Sequence, residues 1–251
     1  MAKPRVGVEL IVFGEQVKTD LPGVAKAAAK AGYDGMEIGM PGDAAEAERF
    51  RAAAEGSGVA VMGAHSGFVA WDDPAVVEQR ISAVKALGSR FVISSARFHT
   101  LEECRQAARI MNDVGRRCRD EGMVFCYHNH AWEFQAMEGT KPIHLIAGET
   151  DPALVKLCPD VYWVHVGGEQ PAEFIARYRN RCATFHLKDG LGGEHYAEFR
   201  ELGQGKVDLP AALKAALACD PEWIVVEQDH TALAPGDSCR VSREYLKTLG
   251  V

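Results

Sequence analysis

The sequence predicts an α/β protein folded as a single (β/α)8 barrel over residues 1–251. Three observations predict it. Short apolar runs alternate with longer amphipathic stretches, eight of each. Gly32, Gly88 and Gly122 each stand between an amphipathic stretch and the next apolar run, where a left-handed residue stops a helix. Ionisable residues crowd the C-terminal ends of the apolar runs, the end that carries the chemistry of barrel enzymes. A chain of 251 residues, 47% hydrophobic, can build one such core without a second domain.

The elements follow in order. A strand at 6–13 leads to a helix at 21–31, for which Asp20 is the candidate N-cap. A strand at 35–38 precedes a helix at 44–55, and a strand at 60–64 precedes one at 75–87. The fourth strand, 91–95, leads through the candidate cap Thr100 to a long helix at 101–121. Cys104, Ala108, Met111, Gly115 and Cys118 give that helix one stripe of small apolar residues at helical spacing. Strands at 124–127, 155–157, 184–187 and 223–227 alternate with helices at 141–147, 172–178, 209–218 and 241–249. The strands are apolar on both faces, as in a parallel sheet covered by helices. An open doubly wound sheet is the alternative. The first strand, however, leads into Phe13-Gly14-Glu15-Gln16, without the glycine-rich phosphate loop of that fold.

The net charge of -7 disfavours nucleic acid as a partner, because phosphate contacts need a basic face. None of the seven cysteines forms a C-x-x-C pair, so reduced thiols are expected. Met1-Ala2-Lys3-Pro4-Arg5 enters the first strand without the apolar run of a signal peptide. No apolar run is long enough to span a bilayer. The expected location is the cytoplasm, without membrane contact, and assembly into a homo-oligomer is compatible with the sequence.

The strand ends carry the candidate chemistry. The first strand carries Glu9, the second Glu37, the third His65 and Ser66, the fourth Ser94 and Ser95. The fifth ends in His128, His130 and Glu133, the sixth leads to Asp160 and His165, the seventh carries His186 and Lys188, and the eighth Glu227 and Asp229. No comparable set is expected at the N-terminal ends. Glu133, Asp160, His186 and Glu227 each close a buried apolar run. Three carboxylates and an imidazole are costly to bury without a cation among them, so they make a plausible divalent-metal site. Two glutamates can also move protons. His65, His128, His130, Trp163, His165 and Lys188 are the candidate substrate-binding residues. The turn Gly203-Gln204-Gly205 lies where barrels often seat phosphate, and a plain turn before a helix is the simpler reading.

In the segments from Tyr127 to Phe134, Asp160 to Trp163, His186 to Asp189, Leu202 to Asp208 and Val226 to Asp229, the chain resembles the xylose isomerase-like TIM-barrel superfamily of sugar phosphate isomerases/epimerases. The resemblance covers nearly the whole chain. It implies one divalent ion held by Glu133, Asp160, His186 and Glu227. Mn, Mg or Co suits three oxygens and one nitrogen, and Zn is compatible. Ketose 3-epimerases carry a histidine where Trp163 stands and an arginine where Gly192 stands. The opening Tyr127-His128-Asn129-His130 looks more like the inosose dehydratase branch. The expected substrate is a small sugar or keto-sugar. The expected activity is a metal-dependent sugar isomerase or epimerase, in which Glu133 and Glu227 pass a proton next to a carbonyl through a metal-bound enediolate. The alternative is a lyase, a dehydratase or β-eliminase, acting on a keto-sugar or keto-inositol.

Overall fold

The first apolar run is cut short by its own carboxylate. In a computed structural model describing residues 3–251, strand β1 covers Arg5–Glu9 and Leu10–Phe13 forms a 3-10 turn. Glu9 accepts a hydrogen bond from the Ile11 amide at 2.7 Å, which bends the chain away from the sheet. The strand expected over 6–13 is therefore shorter. Met1 and Ala2, read as leading into it, lie outside the described residues.

The barrel strands are β1, β2 (Gly35–Gly39), β3 (Ala60–Gly67), β4 (Phe91–Ser95), β5 (Val124–His128), β6 (Val155–Cys158), β7 (Thr184–Leu187) and β10 (Trp223–Val226). They pair in parallel in the order β6-β5-β4-β3-β2-β1-β10-β7. The seam between β6 and β7 carries hydrogen bonds from Ala183 N to Leu157 O and from His186 N to Pro159 O, each 3.0 Å, and this nearly closes the barrel. The single (β/α)8 architecture is as the sequence predicts. Between β7 and β10 the chain adds an antiparallel hairpin, β8 (Asp189–Gly192) with β9 (His195–Arg200), which the sequence reading did not contain.

Ten helices surround these strands among the described residues: α1 (Gln16–Thr19), α2 (Leu21–Ala31), α3 (Ala44–Ser57), α4 (Pro74–Ala86), α5 (Leu101–Asp120), α6 (Pro142–Glu149), α7 (Val161–Val166), α8 (Pro171–Arg177), α9 (Leu209–Leu217) and α10 (Pro235–Thr248). Asp20 and Thr100 cap as expected, accepting from Gly23 N at 3.0 Å and Glu103 N at 3.1 Å. Helix α10 starts at Pro235 instead of 241, because proline fits the first helical turn. The short helix α7 is new. Asp160 starts it by accepting from Trp163 N at 2.9 Å. None of these helices is long and apolar enough to cross a membrane. All seven cysteines are free.

Inside the barrel, Met62, Phe91, Ile93, Cys126, Cys158, Trp223 and Val225 form an apolar plug. Gly35 makes room for it, since a Cβ there would lie 2.5 Å from the Trp223 ring. The plug occupies the barrel interior, and the ionisable residues gather beyond it at the C-terminal strand ends. Outside, α5 lies so close to the residues before β6 that a Cβ on Gly115 would lie 2.5 Å from Leu154 O. No set comparable to that at the C-terminal ends stands at the N-terminal end among the described residues. Arg5 and Arg90 both pair with Glu222 there, but these are surface pairs of small energetic weight.

Candidate metal centre

Above the plug, the ends of β5, β6, β7 and β10 converge. His128 ends β5, Asp160 follows β6, His186 lies in β7 and Glu227 follows β10. All four are buried, and one donor atom from each lies within 4.8 Å of the others. Parallel strands of a barrel bring their C-terminal ends to one mouth, so residues far apart in the chain meet here. Nε2 of His128 lies 3.3 Å from Glu227 Oε2 and 3.7 Å from Asp160 Oδ2. The alignment is not that of a hydrogen bond, and both ring nitrogens of His128 and Asp160 Oδ2 are buried without a partner. His186 Nδ1 meets Glu227 Oε2, while its Nε2 faces Glu37 Oε2 at 2.9 Å.

These features fit a divalent cation. Buried polar atoms without partners are costly, and unpaired donors aimed at a common centre are what a cation satisfies. The imidazole held from behind by a carboxylate, here His186 by Glu37, is the usual way a ligand histidine is oriented. Charge balance agrees. The buried carboxylates around the centre face one buried ammonium, Lys188, which lies 3.1 Å from Glu227 Oε1, 2.8 Å from Asp229 Oδ2 and 3.9 Å from Asp160 Oδ2. Burial opposes charge on His186, yet Cys158, Glu37 and Glu227 push its pKa well up. Burial would raise the Glu227 carboxyl, but Lys188, His186 and His128 hold it well below the usual carboxylate range.

Glu133, expected in this set, lies outside the cluster of four. It lies five residues past the end of β5, in a 3-10 turn over Trp132–Phe134. Its carboxylate accepts from Tyr127 Oη at 2.7 Å and from His130 N at 2.9 Å, so it is bound back to its own segment. Burial raises its pKa to about 8 against those two hydrogen bonds. His128, expected to bind substrate, is the fourth side chain of the cluster. The cluster thus offers two nitrogens and two oxygens.

The other expected residues divide. His65 lies beside the centre, its ring 5.1 Å from that of His128 and its Nε2 3.0 Å from Ser95 Oγ. Burial, with His128 and His186 nearby, lowers its pKa to about 3, so it is neutral. His130 stacks on Trp132 at 4.1 Å. Burial and His128 lower its pKa to about 2, and its Nδ1 has no partner. Lys188 is sandwiched between the rings of Trp163 and Phe199, at 4.7 and 4.6 Å from their centroids. Trp163 Nε1 is buried and unpartnered. His165 is not brought into the centre. It lies in the last turn of α7 beside Gly192 of the hairpin. Glu37 and Glu9 were noted as strand-end residues without a role. The signal was present in Glu37, a lone charge inside the apolar run Gly35-Met36-Glu37-Ile38. Asn129 was missed. It exchanges hydrogen bonds with the Asp160 backbone at 3.2 and 3.4 Å, tying the β5 and β6 ends together.

The Gly203-Gln204-Gly205 turn is held by the chain's own carboxylate. Asp189 Oδ2 accepts from Gly203 N and Gly205 N at 3.0 and 2.9 Å, and Oδ1 from Gly190 N and Val207 N at 2.9 and 3.2 Å.

The family model for the xylose isomerase-like TIM barrel matches residues 25–249. The chain belongs to this family. An inosose dehydratase of Clostridium beijerinckii is 29% identical over 164 residues, which cover 58% of this chain and 54% of the relative. The match thus spans about half the length of that relative. A sugar phosphate isomerase/epimerase of Parabacteroides distasonis superposes with a TM-score of 0.84 at 21% identity, over 98% of this chain and 94% of the other. A 3-keto-D-glucoside 4-epimerase of E. coli superposes with a TM-score of 0.75 at 16% identity, over 98% of this chain and all 100% of the other. At such identities the superpositions speak for the fold.

Proposed function

We propose that this chain is a divalent-metal-dependent enzyme that removes a proton next to the carbonyl of a keto-sugar or keto-inositol. The convergence of His128, Asp160, His186 and Glu227 at the barrel mouth carries this reading. These four side chains would hold the ion. Two imidazoles with two carboxylates suit Mn, Co or Zn better than Mg, which prefers oxygen. When bound, the ion supplies Lewis-acid stabilisation of the negative charge that grows on the substrate oxygens.

The remaining work falls to the protein's own groups. Glu227 Oε1, the oxygen turned toward Lys188 and away from the imidazoles, takes the proton. Its depressed pKa keeps it ionised and makes it a weak base, so the rate depends on stabilising the enolate more than on base strength. The Lys188 ammonium fixes Glu227 and adds positive charge. Neutral His65 and His130 and the Trp163 Nε1–H offer hydrogen bonds to hydroxyls.

The lyase outcome is the better supported of the two fates. The proton that Glu227 takes passes to the β-hydroxyl, which leaves as water while the carbon–carbon double bond forms. Epimerisation by two glutamates on opposite faces would need Glu133 at the centre, and Glu133 is bound back to Tyr127. The similarity to inosose dehydratases supports the same reading. The test is to supply inososes and keto-hexoses to the Mn-loaded protein and follow product mass and absorbance. Loss of water with a new conjugated carbonyl is expected. An isomer of unchanged mass would return the reading to an isomerase. No turnover on any keto-sugar, with and without added metal, would sink it.

A further inference from the structure

A cleft of about 610 Å³ opens beside the metal centre, between the ends of β3 and β4 and the helix α5. Ligand pockets commonly run from about 300 to about 1,000 Å³. Two links join it to the centre. His130 lines it, and the His130 ring lies 4.9 Å from the ring of His128. Ser95 lines it too, and holds His65, which adjoins His128. The His130 ring therefore stands between the centre and the cleft.

The walls of this cleft suit a flat-faced ring. Phe68, Phe98 and Trp132 line it, and rings present apolar C–H faces to aromatic walls. Val69 stands on the rim at 71% exposure. The next residue, Ala70, has φ +56°, a strained position for a residue with a Cβ, and it turns Val69 outward while Trp71 is buried behind it. Polar groups line it as well, among them the carboxylates of Asp72 and Glu103. Arg97 lies over Trp132, 5.4 Å from its centroid, without a carboxylate partner among the described residues. Gln106 faces the cleft from the exposed side of α5, and His130 Nδ1 is buried and unpartnered at the junction.

We infer that the substrate carries a second ring, joined through oxygen to the sugar held at the centre, and that this cleft is the subsite for that ring. The inference rests on the sugar reading above for the first ring only. A sugar ring and an aryl ring share the flat apolar face that the cleft would recognise.

Calorimetry on the Mn-loaded protein tests it with three probes: glucose, cellobiose and phenyl β-D-glucoside. At least one glycoside is expected to bind about tenfold tighter than glucose, and which of the two does so separates a sugar ring from an aryl ring. Gln106→Trp fills the cleft from a solvent-facing position, and Val69→Asp places a charge on its rim. Each should bring the glycosides to within about twofold of glucose and leave glucose unchanged. Equal affinity for all three probes, no detectable binding of either glycoside, or a preference that survives both variants would overturn the subsite. Failure of every keto-sugar to turn over, with the glycoside preference intact, would remove the proposed reaction and leave the subsite standing.

Discussion

Nε2 of His186 lies 2.9 Å from Oε2 of Glu37, with both side chains closed to solvent. The pair spans the barrel interior from β2 to β7. It fixes the imidazole so that Nδ1 points to Glu227 and the centre. The carboxylate behind a ligand histidine sets its tautomer and orientation, and its loss commonly costs about 10–100-fold in metal affinity.

Glu37→Gln should therefore weaken divalent-metal binding by about 10–100-fold while the circular dichroism spectrum stays that of the parent. Titration with Mn²⁺ or Co²⁺ measures it. Undiminished affinity would mean that the His186 ring needs no such support.

His128→Ala and Glu133→Gln should separate cleanly. The first removes one of the four donors and should strip the metal from dialysed protein. The second should retain it. Elemental analysis of both variants decides the matter, and metal lost from Glu133→Gln alone would restore the ligand set expected from sequence.

Glu133 also predicts a pH dependence of stability. Its folded pKa is raised to about 8 from an ordinary value of 4.5. The native state thus binds more protons than the unfolded state between these values, so the Glu133 contribution is full below about pH 4 and is lost as pH rises toward 8. The loss between about pH 4 and about pH 7 is on the order of 3 kcal/mol. Glu133→Gln does not titrate, so the difference in stability between variant and parent should shift in the variant's favour as pH rises across this window. Parallel curves of stability against pH would contradict the raised pKa.

Gly115→Ala reverses the ordinary expectation. In a helix interior, alanine is normally favoured over glycine by about 1 kcal/mol. Here the new methyl would lie 2.5 Å from Leu154 O, which forces α5 off the barrel and should cost about 1–3 kcal/mol net. A thermal melt above that of the parent would show that the contact relaxes freely.

Alternation of apolar runs with amphipathic helices made the barrel legible, since each unit repeats the same two periods. The caps at Asp20 and Thr100 were legible because a side-chain acceptor before a helix has one main use. The hairpin was not. His195-Tyr196-Ala197-Glu198 carries no buried face, so nothing in its pattern separates a strand from a loop. Helix α7 was hidden because its residues Val161–Val166 read equally well as a buried strand. At the centre, Asp160, His186 and Glu227 were readable as strand-end residues. The choice between His128 and Glu133 was not, because it depends on where the chain leaves β5. A strand that stops at His128 leaves that ring at the mouth, and the turn that follows folds Glu133 back onto Tyr127. Spacing along the chain carries no record of that fold-back.

The carboxylate of Asp189 has one further consequence. At the place where many barrels hold the phosphate of their substrate, this chain supplies its own anion on a covalent tether. An incoming phosphate would have to evict a resident that never diffuses away and leave a buried charge without partners. The loop's amides are in effect already occupied, because its backbone donors are spent on a side chain of the same chain.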